Sequence, residues 1–87
     1  STILTPGQLN VNIAAAGGTA LTVPAGATYA IITVSGGTLY ATYDNSAPTA
    51  GNYDVAVASG GYLPVEGAVA LAAIKVFGTT MSVSYWV

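Results

Sequence analysis

Short runs of alternating hydrophobic and polar residues follow one another along this chain, each bounded by glycine or proline. The first run, Gln8 to Ile13, places Leu9, Val11 and Ile13 on one face and polar residues on the other. This alternation is typical of a half-buried β-strand. The last run, Met81 to Val87, alternates in the same way and predicts a strand that closes the fold.

A glycine pair in the middle of the chain separates two β-prone runs. These runs are Thr28 to Ser35 and Thr38 to Tyr43, and Gly36-Gly37 lies between them. Two such runs around a glycine pair predict a β-hairpin. The long polar stretch Asp44 to Asn52 follows, and we expect it to be an exposed loop.

Two later segments depart from simple alternation. Pro64 interrupts the run Tyr62 to Val65, and proline has no N–H to donate to a neighbouring strand. This run is therefore expected at a sheet edge, or to end at the proline. The segment Glu66 to Ala73 is rich in alanine, which favours a helical turn, but it is too short for a stable helix. We interpret it as one irregular turn.

Together these runs predict an all-β protein. The expected architecture is an antiparallel β-sandwich or a small jelly-roll-like barrel of seven to eight short strands. Residues 8–87 are expected to form a single β-domain, since the chain has only 87 residues. Residues 1–7 are expected to form an N-terminal arm, because Ile3 and Leu4 have no periodic partner. The alternative is a disordered end.

The low content of charged residues is the feature of the composition that says most about function. Only 5% of the residues are charged, against about 25% in a typical soluble domain. They are Asp44, Asp54, Glu66 and Lys75. A domain this small has a thin margin of stability, and the chain has no cysteine for disulfides and no histidine for a zinc site. Oligomerisation is the remaining route to stability, and an uncharged surface suits burial against protein neighbours.

The same composition excludes several partners and activities. With Lys75 as the single basic residue, nucleic-acid binding and a basic membrane-surface helix are excluded as main functions. No apolar run is long enough to span a membrane. Without histidine or cysteine, nucleophilic catalysis would need a serine–lysine dyad on Lys75, and a surface lysine is the simpler interpretation. We therefore expect no enzyme activity and no cofactor.

The acidic residues around the long loop allow a second interpretation. Asp44 and Asp54 could form a carboxylate pair, or hold a metal ion together with Asn45 and Asn52. Aspartate and asparagine beside a turn more often cap the turn itself. We therefore expect no catalytic and no metal-binding residues here.

The aromatic residues are the better candidates for contacts. Tyrosine and tryptophan are enriched at protein interfaces, although some of them must lie in the core and others could stack on sugars. Together with the apolar pair of the arm, they give a candidate interface made of Ile3, Leu4, Tyr40, Tyr53, Tyr62 and Trp86.

The segment from Thr38 to Val87 resembles a group of small structural proteins from the virions of tailed bacteriophages. The cues are a Tyr-Asp-Asn-Ser-Ala-Pro-Thr-Ala loop from residue 43, a Leu-Ala-Ala-Ile-Lys-Val run from residue 71, and a closing Ser-Val-Ser-Tyr-Trp from residue 82. The loop carries Asn45 where the group's pattern has glycine. The resemblance covers a little over half of the chain.

This resemblance implies a non-enzymatic structural protein located in the virion. A capsid decoration or cement protein is expected first, with the major capsid protein or other virion proteins as partners and a homotrimer as the expected oligomer. The alternatives are a tail, collar or fibre component of the virion, and a carbohydrate-binding β-module that uses the tyrosines.

Overall fold

The computed structural model describes residues 2–87, which form eight β-strands and one short helix. In chain order the elements are β1 (Ile3–Asn12), β2 (Thr19–Ala20), β3 (Tyr29–Ser35), β4 (Leu39–Thr42), β5 (Val55–Val57), β6 (Tyr62–Glu66), α1 (Ala68–Ala73), β7 (Lys75–Phe77) and β8 (Thr80–Trp86). The predicted all-β class and the number of strands are confirmed.

The strands form two four-stranded antiparallel sheets. The first sheet has the order β1-β8-β3-β6 and the second has the order β2-β7-β4-β5. Strands that follow one another in the sequence therefore lie in different sheets, except for β4 and β5. The chain passes back and forth between the two sheets. This double-sheet arrangement of eight strands is that of a jelly roll.

The core lies between the two sheets, where the inward-facing residues of each strand meet. In β8, Met81, Val83 and Tyr85 are buried, as their alternation predicts, whereas Val87 lies beyond the strand and is exposed. In β3, Ala30, Ile32 and Val34 are buried in the same manner. The outward residues of these two strands are half-buried or exposed and form part of one broad face of the molecule.

The predicted hairpin at Gly36-Gly37 is wrong. Both edges of β3 are already occupied, since β3 pairs with β8 and with β6, and β4 crosses to the other sheet. The crossing is stabilised by side chains of other loops. The Thr79 hydroxyl donates to the Ser35 carbonyl oxygen over 2.9 Å, and the Gly36 N–H donates to the Ser59 hydroxyl over 3.2 Å.

The first strand also differs from its prediction. It begins at Ile3 instead of Gln8, so that residues 3–7 of the expected arm are a paired part of the first sheet. Ser1, the first residue of that arm, lies outside the described residues. Leu4 pairs with Tyr85 of β8, and this pairing gives residues 3–4 the partner that the sequence pattern lacked.

A change of register explains why the predicted face of β1 is wrong at Leu9. The pairing of β1 with β8 shifts between Leu4 and Gln8 and again between Gln8 and Val11. Asn10 has a positive φ of 53°, which is a left-handed conformation that asparagine tolerates. As a result Gln8 faces inward beside Val83, and Leu9 points to solvent with 80% of its surface exposed.

The strands at the sheet edges are short or interrupted. β6 is an edge strand and contains Pro64, as predicted from its missing N–H. On the other edge of this sheet, β1 contains Pro6 and the two register shifts. The second sheet ends in β2 and β5, which have two and three residues. The segment predicted as an irregular turn is the six-residue helix α1, which buries Leu71 and leaves Val69 exposed.

Candidate interaction faces

Five of the six residues predicted as an interface lie on two opposite faces, and the sixth faces inward. Ile3, Tyr62 and Trp86 lie on the outside of the first sheet, and Tyr40 and Tyr53 lie on the side of the second sheet. Leu4 faces inward, opposite the buried Tyr85. The structure therefore does not bring the six residues together into one surface.

The outer surface of the first sheet, here called the Trp86 face, is made by the outward residues of its four strands. The register places Tyr29 between Trp86 and Glu66, and Ile31 between Ser84 and Pro64. The remaining outward residues complete the surface. They are Ile3, Leu9, Thr33, Tyr62 and Ser82. Glu66 is the one charged residue among them, and the rest are apolar or carry hydroxyl groups.

Two hollows lie side by side on the Trp86 face. The larger has a volume of about 540 Å³ and is lined by Thr28, Tyr29, Ile31, Glu66, Trp86 and Val87. The smaller has a volume of about 240 Å³ and lies beside the exposed Leu9. Ile31 lines both hollows, so they adjoin each other at the middle of the sheet.

The indole of Trp86 is held in place at the rim of the larger hollow. Its Nε1–H donates a hydrogen bond of 3.1 Å to the hydroxyl of Ser84, two residues earlier on the same face. Trp86 also stands between Ile3 and Tyr29 in the register of the sheet. An aromatic ring fixed in this way presents its surface with little rotamer entropy left to lose on binding.

The opposite surface, here called the Tyr40 face, carries a cluster of three aromatic rings. The ring centroids of Tyr40 and Tyr53 are 5.1 Å apart with planes inclined by 47°, and those of Tyr40 and Phe77 are 6.4 Å apart and inclined by 28°. Tyr40 and Phe77 are cross-strand partners of β4 and β7, and Lys75 points outward two residues before Phe77. Phe77 was not among the predicted contact residues.

The loop of residues 43–54 closes one end of the sandwich, and its two aspartates stabilise the loop itself. The Asp44 carboxylate accepts hydrogen bonds from the Ser46 N–H and hydroxyl, which lower its pKa. The Asp54 carboxylate accepts a 2.9 Å bond from the Tyr43 N–H, and burial and this carboxylate raise the pKa of the Tyr43 hydroxyl. Asp44 therefore caps its own turn as predicted, whereas Asp54 joins the two ends of the loop.

The polar sequence of this loop predicts full exposure, but one residue in the middle of the loop is buried. Pro48 is fully buried, and it lies against Gly18 from the first half of the chain. A Cβ atom on Gly18 would approach the Pro48 ring to 2.7 Å, so glycine is required for this contact. The contact fixes the middle of the loop to the sandwich.

Within residues 2–87, no group of three or more histidine, cysteine, aspartate or glutamate side chains lies close enough to hold a metal ion. The helix in this range has six residues and is too short to cross a membrane.

Ile31 and Leu9 are two central residues of the Trp86 face that were not predicted as interface residues. Alternation in Tyr29 to Ser35 already places Ile31 on the outward side, so the signal for it was present. The signal for Leu9 was misleading, since the register shift at Asn10 reverses the faces.

No protein-family model, no curated protein and no solved structure matches this chain. A jelly roll can carry many unrelated functions, among them capsid and lectin roles. Inference about function therefore rests on the two faces and on their chemistry.

Proposed function

We propose that this chain is a non-enzymatic structural protein of a virion, and that it acts as a capsid decoration or cement protein. In this role it binds capsid subunits and its own copies, and it adds buried area across the joints between subunits. The resemblance of residues 38–87 to small virion proteins of tailed bacteriophages motivates the proposal.

The observation that carries the proposal is the near absence of charge on two broad, opposite faces. The Trp86 face has Glu66 as its one charged side chain, and the side of the second sheet carries Lys75 in β7 and the exposed Asp54 next to Tyr53. Depletion of charge with enrichment of aromatic residues is the signature of the buried centre of a protein interface. A protein with one face on a capsid and another on a second partner needs two such surfaces.

Jelly-roll architecture supports the proposal in a weaker way. Viral capsid proteins use this double sheet repeatedly, but lectins use it as well. The alternatives are therefore a tail, collar or fibre component of the same virion and a carbohydrate-binding module. The Tyr40 face favours the carbohydrate-binding alternative, since Tyr53 is 46% exposed beside the ring of Tyr40 and an exposed ring can stack on a sugar.

The deciding experiment uses purified virions and the purified chain. Quantitative mass spectrometry should find the chain in a fixed, high ratio to the major capsid protein, and cryo-electron microscopy should place it on the outer capsid surface. Particles stripped of the chain should release their genome at a lower temperature and recover when the chain is added back. For chains bound to a capsid, the resemblance also implies a threefold arrangement, which stays a prediction.

Other outcomes of this experiment would contradict the decoration role. Density in the tail, collar or fibre, with none on the head, would favour the second alternative. Binding to a glycan array that is lost in a Tyr53→Ala variant, with no binding to stripped particles, would favour the third. Lys75→Ala is the matched control for the array, because it changes the same face without removing an aromatic ring.

A further inference from the structure

We infer that the Trp86 face is a self-association surface that binds the same face of a second copy about a two-fold axis. This inference goes beyond the proposed function, because it concerns the free protein and holds whether or not the chain belongs to a virion. Its starting point is the exposed apolar material on the face: Leu9 is 80% exposed, Tyr62 is 68% exposed and Ile3 is 51% exposed.

The charge on this face fits a second copy better than a charged partner. A strongly acidic or basic partner would find no cluster of opposite charge here, since Glu66 is alone. Glu66 lies at one corner of the face, on the edge strand β6 opposite Tyr29. A two-fold axis through the centre of the face takes the Glu66 of the second copy to a distant corner, so that the like charges stay apart.

The relief of the face is self-complementary. Leu9 projects from β1 on one side of Ile31, and the larger hollow beside Tyr29 and Trp86 lies on the other side. A two-fold axis that passes between these two features, near Ile31 and Ser84, exchanges them. Each copy then places its Leu9 against the hollow of its partner, which covers an apolar side chain and fills a cavity in one contact.

The size of the face is sufficient for a stable dimer. The Cα atoms span 34 × 24 × 17 Å, and the shortest dimension corresponds to the stacking of two sheets. The first sheet therefore lies under a face of at most 34 × 24 Å. A standard interface takes about 800 Å² from each partner, so a second copy has to cover almost the whole of this face to reach that area.

This geometry specifies a closed dimer. A patch that binds its own copy gives an isologous contact, which is satisfied by two chains. A threefold ring would require two different patches in contact, and it would leave the Trp86 face free. The Tyr40 face, on the other side of the sandwich, stays open in the dimer for another partner.

The first test changes one residue of the face at a time. Ile31→Lys places a charge at the centre of the contact and Leu9→Asp removes the projecting side chain, while Val69→Lys changes an exposed apolar residue of α1 as the matched control. Sedimentation equilibrium should give a dimer for the wild type and for Val69→Lys. We expect a dissociation constant raised on the order of 100-fold in both face variants. Circular dichroism checks that each variant is folded.

The second test uses the absence of cysteine in this chain. A Ser84→Cys variant places one thiol near the proposed axis, and mild oxidation should link two copies rapidly. A Val69→Cys variant should form far less of the linked dimer. A monomeric or trimeric wild type, a folded Leu9→Asp variant that dimerises normally, or equal cross-linking at the two positions would overturn the inference.

Discussion

The hydroxyl of Tyr85 donates a hydrogen bond to the side-chain amide oxygen of Gln8, which joins the interior strand β8 to the edge strand β1. The same Gln8 oxygen accepts a 3.1 Å bond from the Thr22 N–H, and the Gln8 amide nitrogen lies 3.4 Å from the Thr22 hydroxyl. Gln8 thus connects three parts of the chain at one side of the core.

This arrangement predicts that replacing Gln8 lowers the free energy of unfolding more than replacing Tyr85 does. Tyr85→Phe removes one hydrogen bond and leaves Gln8 bonded to Thr22, so it should cost about 1 kcal/mol of unfolding free energy. Gln8→Leu leaves the Tyr85 hydroxyl without an acceptor and also removes the bonds to the exposed Thr22, so it should cost roughly 2 kcal/mol. Urea unfolding of both variants measures the order. Equal losses would show that Thr22 contributes nothing.

Tyr85 also predicts a loss of stability at alkaline pH. Burial raises the pKa of Tyr85 to about 12 from an ordinary value of 10.0. The unfolded chain therefore loses this proton first as the pH rises. The stabilisation is complete below pH 10 and is lost as the pH approaches about 12. Urea unfolding at intervals across this range should show the fall, and Tyr85→Phe should make it shallower.

The position of Gly78 predicts a severe effect of a single methyl group. Gly78 has a φ of +135°, and a Cβ atom there would collide with the Thr38 carbonyl oxygen. Gly78→Ala should therefore cost about 3 kcal/mol or prevent folding. Gly51→Ala is the control, since nothing lies within 4 Å of its Cβ position. Thermal unfolding should leave Gly51→Ala within a few degrees of the wild type.

The pairing of β1 predicts that the first residues stabilise the fold. Deleting residues 1–5 removes the contacts of Ile3 with Trp86 and of Leu4 with Tyr85. A loss of about 1 kcal/mol or more should lower Tm by at least about 4 °C in a domain of this size. An unchanged Tm would support the arm that the sequence pattern predicted.

Deletion of the end of β8 should reduce stability more than deletion of residues 1–5 does. β8 pairs with β1 on one side and with β3 on the other, and Tyr85 is fully buried. Without residues 84–87 both neighbouring strands lose part of their pairing and the core loses Tyr85, so we expect insoluble or unfolded protein. A soluble truncated chain with cooperative thermal unfolding would contradict this expectation.

The fold class could be predicted because the strongest local signals agree with the global structure. The alternation of Met81, Val83 and Tyr85 corresponds to a buried face, and Pro64 lies on the edge strand that its missing N–H requires. These signals depend on the chemistry of single residues. They are therefore visible without knowledge of the strands that pair with them.

The predictions are wrong where the structure depends on which strands pair and in which register. A glycine pair between two β-prone runs fits both a hairpin and a crossing between sheets, and only the pairing of β3 with β6 and β8 distinguishes them. The outward position of Leu9 depends on the register shift near Asn10. The candidate contacts were divided between two faces for the same reason, since the sequence does not show which strands share a sheet.

The interrupted edges of both sheets determine how copies of this protein can accumulate. A net charge of −2 provides little colloidal repulsion, so charge does little to keep the molecules apart at high concentration. Protection against fibrils must then come from geometry. Pro64 and Pro6 lack the N–H that an added strand would need, and the two- and three-residue strands at the edges of the second sheet are too short to act as templates. Crowding therefore favours discrete contacts between faces over open-ended growth strand by strand.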